Sequence, residues 1–307
     1  SERLMAENLF HRLLIAPLPY VPKPVVWRFS QRYVAGIDVD DAFAVVARLN
    51  AMGCSATIDV LGEDSTTTAE VDTAKELYFK ALEGIPSRDL DCNASVKLSD
   101  MGLRFDHDLC FDTMEAIVAR AAELGNFVRI DMEDSSVTSV TLDIYRRLRE
   151  RHENVGTVIQ SCLHRSRDDV QSLLGDGIAH LRLCKGIYIE PGEIAYTDAD
   201  DIRQSFRMLL EQLFEGGATK VGIATHDPAL VAHAEQTIRR LNVDKSRYEF
   251  QMLLGVAGTM RSRLIREGHP LRVYVPFGER WHAYSMRRLR ENPGIAGHIV
   301  KNLFTRS

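Results

Sequence analysis

The sequence has no apolar run approaching the roughly 18 residues that a membrane-spanning helix needs. It has no C-x-x-C pair either, and its five cysteines (Cys54, Cys92, Cys110, Cys162 and Cys184) are scattered and odd in number. That pattern argues against structural zinc and against a disulfide framework. It points to buried, reduced thiols in a reducing compartment, and so to a cytoplasmic protein. No G-x-G-x-x-G follows the first strand-like run, which removes the main signature of a dinucleotide-binding doubly wound sheet. Charge of one sign is scarce: the net charge of −5 is mild and speaks against nucleic acid as a main partner. The opening residues SERLMAENLF carry charges where a secretory leader would have its apolar core. No linker or low-complexity segment divides the 307 residues.

What is present is an alternation of element types. Short apolar, β-branched runs recur at 54–61, 92–98, 127–132, 155–163, 180–184, 220–224, 248–254 and 271–275. Nearly continuous apolar runs of this length suit parallel strands buried on both faces. Amphipathic stretches lie between them at 64–82, 111–124, 135–151, 167–174, 200–214, 228–241 and 259–266. Their boundaries carry helix signals: His226-Asp227-Pro228 is a cap followed by proline, and Gly216-Gly217 and Gly268 fall at helix ends. Eightfold strand–helix alternation predicts an α/β fold, a (β/α)8 TIM barrel in preference to a long doubly wound sheet. Residues 1–53 read as a helical arm with segments at 2–14, 24–34 and 38–52. Residues 54–307 read as the barrel, with a last helix at 279–291 and a weaker one at 295–304, the whole forming a single domain.

In such barrels the working groups sit at the carboxyl ends of the strands. There the sequence places Asp59 and Glu63, Lys97, the trio Arg129, Asp131 and Glu133, and then Gln160 and His164. Further along come Arg182, Lys185, Thr225, His226, Gln251, Arg272 and Tyr274. Arg129, Asp131 and Glu133 share one parity and face one side of the sheet. So many polar groups in buried strands require a ligand or a network of partners. In the last helix Tyr284, Arg287, Arg288 and Glu291 are neighbours at helical spacing. Two guanidiniums packed over a mouth that holds Lys97 suit a small carboxylic acid.

Several segments resemble the proline dehydrogenase family, in its monofunctional bacterial form. They are S-V-K-L-S (95–99), R-I-D-M-E (129–133), I-Q-S (159–161), R-L-C-K-G-I-Y (182–188), A-T-H-D (224–227), E-F-Q-M-L-L-G (249–255) and R-V-Y-V-P-F-G-E-x-W-x-x-Y-x-x-R-R-L-x-E-N (272–292). The last of these, joined to the 182–188 segment, is the most specific. The resemblance implies a distorted (β/α)8 barrel with the last helix over its mouth. It also implies an FAD-dependent oxidation of L-proline to 1-pyrroline-5-carboxylate, the first step of proline catabolism to glutamate. Lys97, Arg287 and Arg288 would hold the carboxylate; Tyr274, Tyr284 and Leu253 would pack on the ring; Asp131 would fix Tyr274 and its neighbours. Met132, Gln160, Arg182, Lys185, Gly186, Ile187, Thr225 and His226 would hold FAD, with Arg182 beside the flavin N5. Glu63 would pair with Arg287 as a gate. The electron acceptor would be a quinone, reached by peripheral contact at the inner face of a membrane. Two positions depart from the family: Cys162 stands where an aromatic residue is usual, and Ile187 where alanine is.

The residues themselves leave other readings open. His164, His226, Asp131 and Glu133 are metal-ligating types, but no H-x-H or H-x-x-x-H pair supports them, so no metal is expected. Lys97 or Lys185 could form a Schiff base, which would leave the paired arginines unexplained. An amino-acid-binding protein without catalysis would keep the carboxylate clamp alone.

Overall fold

The computed structural model describes residues 22–62 and 64–291, and for 287–291 the helical backbone only. The segments expected at 2–14 and 295–304 lie outside the described residues. Eight parallel strands close in chain order: β1 Ser55–Val60, β2 Cys92–Val96, β3 Val128–Ile130, β4 Val155–Gln160, β5 His180–Cys184, β6 Lys220–Ala224, β7 Tyr248–Leu253 and β8 Leu271–Phe277. The β8 strand returns to β1 in register from Ser55↔Arg272 to Val60↔Phe277, which removes any open edge. The helices preceding β1 are α1 Lys23–Ser30 and α2 Val39–Ala51. Those following successive strands are α3 Thr68–Ser87, α4 His107–Glu123, α5 Thr138–Arg149, α6 Ser166–Gly175, α7 Ala199–Glu215, α8 Pro228–Arg240, α9 Gly258–Arg266 and α10 Trp281–Glu291.

The strands alternate more strictly than their apolar sequence runs suggest. One parity is apolar and packs outward on the helices, as with Ile58, Val96, Ile130, Leu183, Ile223 and Val273. The other parity faces inward and carries most of the polar side chains of the strands. Side-chain bonds across the barrel show this directly: Arg129 on β3 reaches His180 on β5, and Tyr274 on β8 reaches Asp131 after β3. The inner layers are therefore joined by ion pairs and hydrogen bonds where many barrels stack aliphatic side chains.

Local chemistry sets the element boundaries. The helix expected from residue 64 begins at Thr68, because Thr67 and Glu70 form a reciprocal capping box there. Asp64 instead has φ 56°, outside any helix. The segment expected as one helix from 135 opens with a 3-10 turn, Ser135–Val137, capped by Asp134, and turns α-helical at Thr138. The third strand, expected over 127–132, is only Val128–Ile130.

The arm bears on the open end of the barrel. Phe43, Val46 and Leu49 of α2 join the main core. After α1, Ala35 N donates to Pro276 O at 2.9 Å and Gly278 N donates to Gly36 O at 3.0 Å, extending the end of β8. Tyr33, Val34 and Leu61 pack with Tyr284 of α10, and Trp27 meets Trp281 with ring centroids 4.6 Å apart. Gly255, at φ 75°, lets the chain after β7 pass against the Arg32 carbonyl, which a Cβ there would meet at 2.1 Å. Among the described residues no helix is long and apolar enough to cross a membrane.

Candidate active site

A cavity of about 660 Å³ opens at the carboxyl ends of the strands, beneath Tyr284 of α10. Every described residue of the expected site lines it: Lys97, Asp131, Met132, Gln160, Arg182, Lys185, Gly186, Ile187, Thr225, His226, Leu253, Tyr274 and Tyr284. The side chains of Arg287 and Arg288, and Glu63 altogether, lie outside the described residues; the backbone places both arginines in α10.

The floor of the cavity centres on Asp131. Its Oδ1 accepts from Ser95 Oγ and from Arg182 Nη1, each at 2.6 Å, and its Oδ2 accepts from Tyr274 Oη at 2.8 Å. Lys97 Nζ stands 3.9 Å from the same carboxylate and donates to both oxygens of Asp59, at 2.8 and 3.0 Å. Two cations and two carboxylates thus balance in a nearly dry floor, with side-chain exposures of 1% for Asp59 and 10–12% for the other three. Burial works to raise the Asp131 carboxyl, but Arg182, Lys97 and the bonds from Ser95 and Tyr274 hold it below the usual carboxylate range. Burial of Asp59 is less fully offset by Lys97, and repulsion from Asp131 adds to it, pushing its carboxyl up to about 6. Burial and these two carboxylates push the Tyr274 phenol far above its ordinary value, so it remains a hydrogen-bond donor.

One wall is built from β4 to β6. Gln160 Nε2 donates to Glu133 O at 2.8 Å. Lys185 Nζ and Arg203 Nε both donate to Asp227 Oδ2, at 3.0 and 2.7 Å. Burial would raise the Asp227 carboxyl, but these two cations hold it down at about 2. Leu253 N donates to His226 Nε2 at 3.0 Å, which fixes that ring with its proton on Nδ1. Gly186, at φ 101°, leaves bare backbone on the wall; a Cβ there would meet Cys162 Sγ at 2.3 Å. Cys162 itself is buried behind this wall rather than lining it, whereas Ile187 is half exposed at the rim.

Some groups expected at the mouth lie elsewhere. Arg129 sits lower in the barrel, donating to Thr157 O at 2.9 Å and His180 O at 2.7 Å. Arg272 is also below, donating to Glu249 Oε1 at 2.8 Å and to Ala56 O at 2.6 Å. Glu133 remains at the cavity wall, where it accepts from Ser99 N at 2.9 Å, whereas His164 packs edge-on against Tyr196 outside the cavity. Of the four groups weighed as metal ligands, Asp131, Glu133 and His226 line the cavity, but their ligand atoms do not converge. Among the described residues the one His/Cys/Asp/Glu trio with adjacent ligand atoms is Glu235, Glu267 and His269, and Arg263 already bridges its two carboxylates. Lys97 and Lys185, weighed for Schiff-base chemistry, are each bound to a carboxylate. The sequence places Asp59 and Gln251 at strand ends and Asp227 in a helix cap, but gives none of them, nor Ser95 or Arg203, a role in the site. The signal for Asp59 was parity, since Thr57 and Asp59 alternate with Ala56 and Ile58 in β1.

Comparison with known proteins bears on this geometry. The proline dehydrogenase family model matches residues 42–301. Proline dehydrogenase 1 of Bacillus subtilis is 37% identical over 275 residues, covering 89% of this chain and 90% of that one. The proline dehydrogenase of Deinococcus radiodurans is 33% identical over 309 residues, covering 97% and 99%. Among solved structures, proline utilization A from Bdellovibrio bacteriovorus, inactivated by N-propargylglycine, superposes with a TM-score of 0.79 at 25% identity. That match covers 86% of this chain and 32% of the longer protein. The family is flavin-dependent. With the barrel, the cavity and near-full-length relatives in agreement, the chain belongs to the proline dehydrogenase family and is an oxidoreductase that oxidises proline.

Proposed function

We propose that the cavity oxidises L-proline to 1-pyrroline-5-carboxylate with FAD as the resident cofactor. The observation carrying this reading is the convergence of Lys97, Asp131, Arg182 and Tyr274 in one cavity beneath α10, the helix that bears Arg287 and Arg288. The wall fits a flavin nucleotide in its chemistry. It offers the Gln160 amide, the Lys185 ammonium, the Thr225 hydroxyl and bare backbone at Gly186, with Met132, Ile187 and His226 beside them. Arg182 is the buried cation suited to face the electron-accepting ring. Bound FAD supplies a two-electron acceptor for the hydride that leaves the ring carbon next to the proline nitrogen.

The chain's own residues bind and orient. Lys97, held by its bonds to Asp59, supplies a cation for the substrate carboxylate, with Arg287 and Arg288 completing the clamp. Tyr274, Tyr284 and Leu253 present an apolar face to the pyrrolidine ring. Asp131 holds both the Tyr274 hydroxyl and the Arg182 guanidinium, so substrate and cofactor walls share one anchor. Proline reacts as the neutral amine, whose lone pair forms the C=N bond as the hydride departs. Glu63 pairs with Arg287 to close the mouth over substrate. Electrons then pass to a quinone through peripheral contact of a cytoplasmic protein with the membrane.

The test is turnover of the purified holoenzyme with L-proline and a soluble quinone, with the pyrroline product trapped chemically and the released cofactor identified by chromatography. The reading expects 1-pyrroline-5-carboxylate and FAD, and an Arg288→Met enzyme with a raised KM and little change in kcat. FMN, a different product, or an Arg288→Met enzyme altered only in kcat would each contradict the corresponding assignment.

A further inference from the structure

Arg182 is held on two sides. Nη1 donates to Asp131 Oδ1 at 2.6 Å and approaches Ser95 Oγ at 3.3 Å, while Nε donates to Gln251 Oε1 at 2.5 Å. The first contact is an ion pair that either carboxylate oxygen could make. The second depends on which way round an amide is turned. A guanidinium only donates, so Gln251 must present its oxygen; rotated by half a turn, its NH2 would face the Arg182 N–H.

The cause of the correct orientation lies one layer lower in the barrel. Gln251 Nε2 donates to Glu249 Oε1 at 2.7 Å. Residues 249 and 251 share the inward face of β7, so the two side chains are stacked neighbours. Glu249 also accepts from Arg272 Nε at 2.8 Å and lies 3.4 Å from Lys220 Nζ. Burial would raise its carboxyl, but Arg272 and Lys220 hold it down at about 2. It is therefore an ionised, acceptor-only group at neutral pH. An acceptor below and a donor above leave the Gln251 amide one satisfied orientation.

Space for that amide comes from β6. A Cβ on Gly222 would fall 2.5 Å from Gln251 Nε2 and 2.8 Å from its Cδ. The Gly222 backbone is ordinary strand paired with Arg182 on one side and Glu249 on the other, so glycine serves clearance there, not an unusual turn.

We propose that Gln251 is a positioning residue for Arg182, its amide held oxygen-first by Glu249 and given room by Gly222. The inference rests on the reading of Arg182 as the cation that faces the flavin. Without the Gln251 bond the guanidinium keeps its anchor at Asp131 but can swing about it, and its charge is no longer fixed against the electron-accepting ring. The loss should fall on hydride transfer and on the flavin potential, not on capture of the proline carboxylate.

The experiment compares FAD-loaded wild-type enzyme with Gln251→Met, Gly222→Ala, Arg182→Met and the Gln251→Met/Arg182→Met double variant. It reads the two-electron flavin potential together with kcat and KM for proline. Arg182→Met is expected to lower the potential. Gln251→Met is expected to lower it in the same direction, by about tenfold in the reduction equilibrium or roughly 30 mV. Its kcat should fall about tenfold at near-constant KM. Gly222→Ala alters neither Arg182 nor Asp131 and should reproduce this pattern by displacing the amide. The double variant should match Arg182→Met alone. Additive shifts in the double variant would mean that Gln251 acts independently of Arg182 and would overturn the proposal. So would a Gly222→Ala enzyme with wild-type potential and kcat, and that variant carries the test if Gln251→Met does not fold. Wild-type potential in Arg182→Met would instead remove the premise that Arg182 faces the flavin, a distinct failure from the other two.

Discussion

Replacing Asp131 by Asn removes the negative charge on which three donors converge. Ser95 and Arg182 reach one oxygen at 2.6 Å and Tyr274 reaches the other at 2.8 Å. An amide of the same shape offers one acceptor oxygen and one NH2, so at least one of these three bonds is lost or reversed, with a hydroxyl turned to accept. Arg182 also loses its carboxylate while about 90% buried, with a side-chain exposure of 10%. Removing one partner of a buried ion pair typically costs about 3–5 kcal/mol. At about 2 °C per kcal/mol for a chain of this size, Tm should fall by roughly 6–10 °C. Tyr274→Phe provides the scale: it deletes one hydrogen bond to a charged group, worth about 1.5–3 kcal/mol, and leaves the ion pair intact. Guanidinium unfolding and calorimetry on FAD-saturated enzyme give both numbers. Loss of less than about 1 kcal/mol in Asp131→Asn, or equal losses in the two variants, would refute the view that this carboxylate is the electrostatic centre of the site.

Three further outcomes follow from the same network. Gly156→Ala places a Cβ 2.4 Å from Arg129 Nη1 and 2.5 Å from the His180 carbonyl, so overpacking should cost about 1–3 kcal/mol in chemical denaturation. Arg272 and Lys220 hold Glu249 at about 2 from an ordinary value of 4.5, so its ion pairs add stability that is complete above pH 4.5 and is lost as pH falls toward 2. Glu249→Gln should therefore flatten this limb of the stability–pH curve, which in the wild type is worth on the order of 3 kcal/mol. Burial raises the four buried thiols, with Cys92 and Cys110 at about 12 and Cys162 at about 11, so a disulfide reagent should titrate Cys54, Cys92, Cys110 and Cys162 only at the rate of unfolding.

The sequence made the barrel legible because its outer strand face and helix boundaries are written in local chemistry. His180–Cys184 and Lys220–Ala224 occupy the runs expected for them, and Pro228 opens α8 behind the Asp227 cap. Errors gathered where capping decided the start of a helix, at Thr67 and at Asp134. The inner polar layers were harder to read. Arg129, Glu249 and Arg272 were visible as charged residues in strands, but only the closed barrel shows that they lie below the cavity and bond to one another and to backbone carbonyls. Asp59 was legible at its strand end, but its pairing with Lys97 was not, for a related reason. Its partner Lys97 directly follows the next strand, and nothing in a single chain pairs residues that distant in sequence.

Transfer of two electrons from proline to a flavin bound in this cavity can be read in the visible spectrum of the purified protein before and after L-proline is added without air. Oxidised flavin bands should be present and should bleach on addition of L-proline. Flavin bands that stay oxidised with saturating L-proline, or a protein that cannot be loaded with FAD, would contradict it.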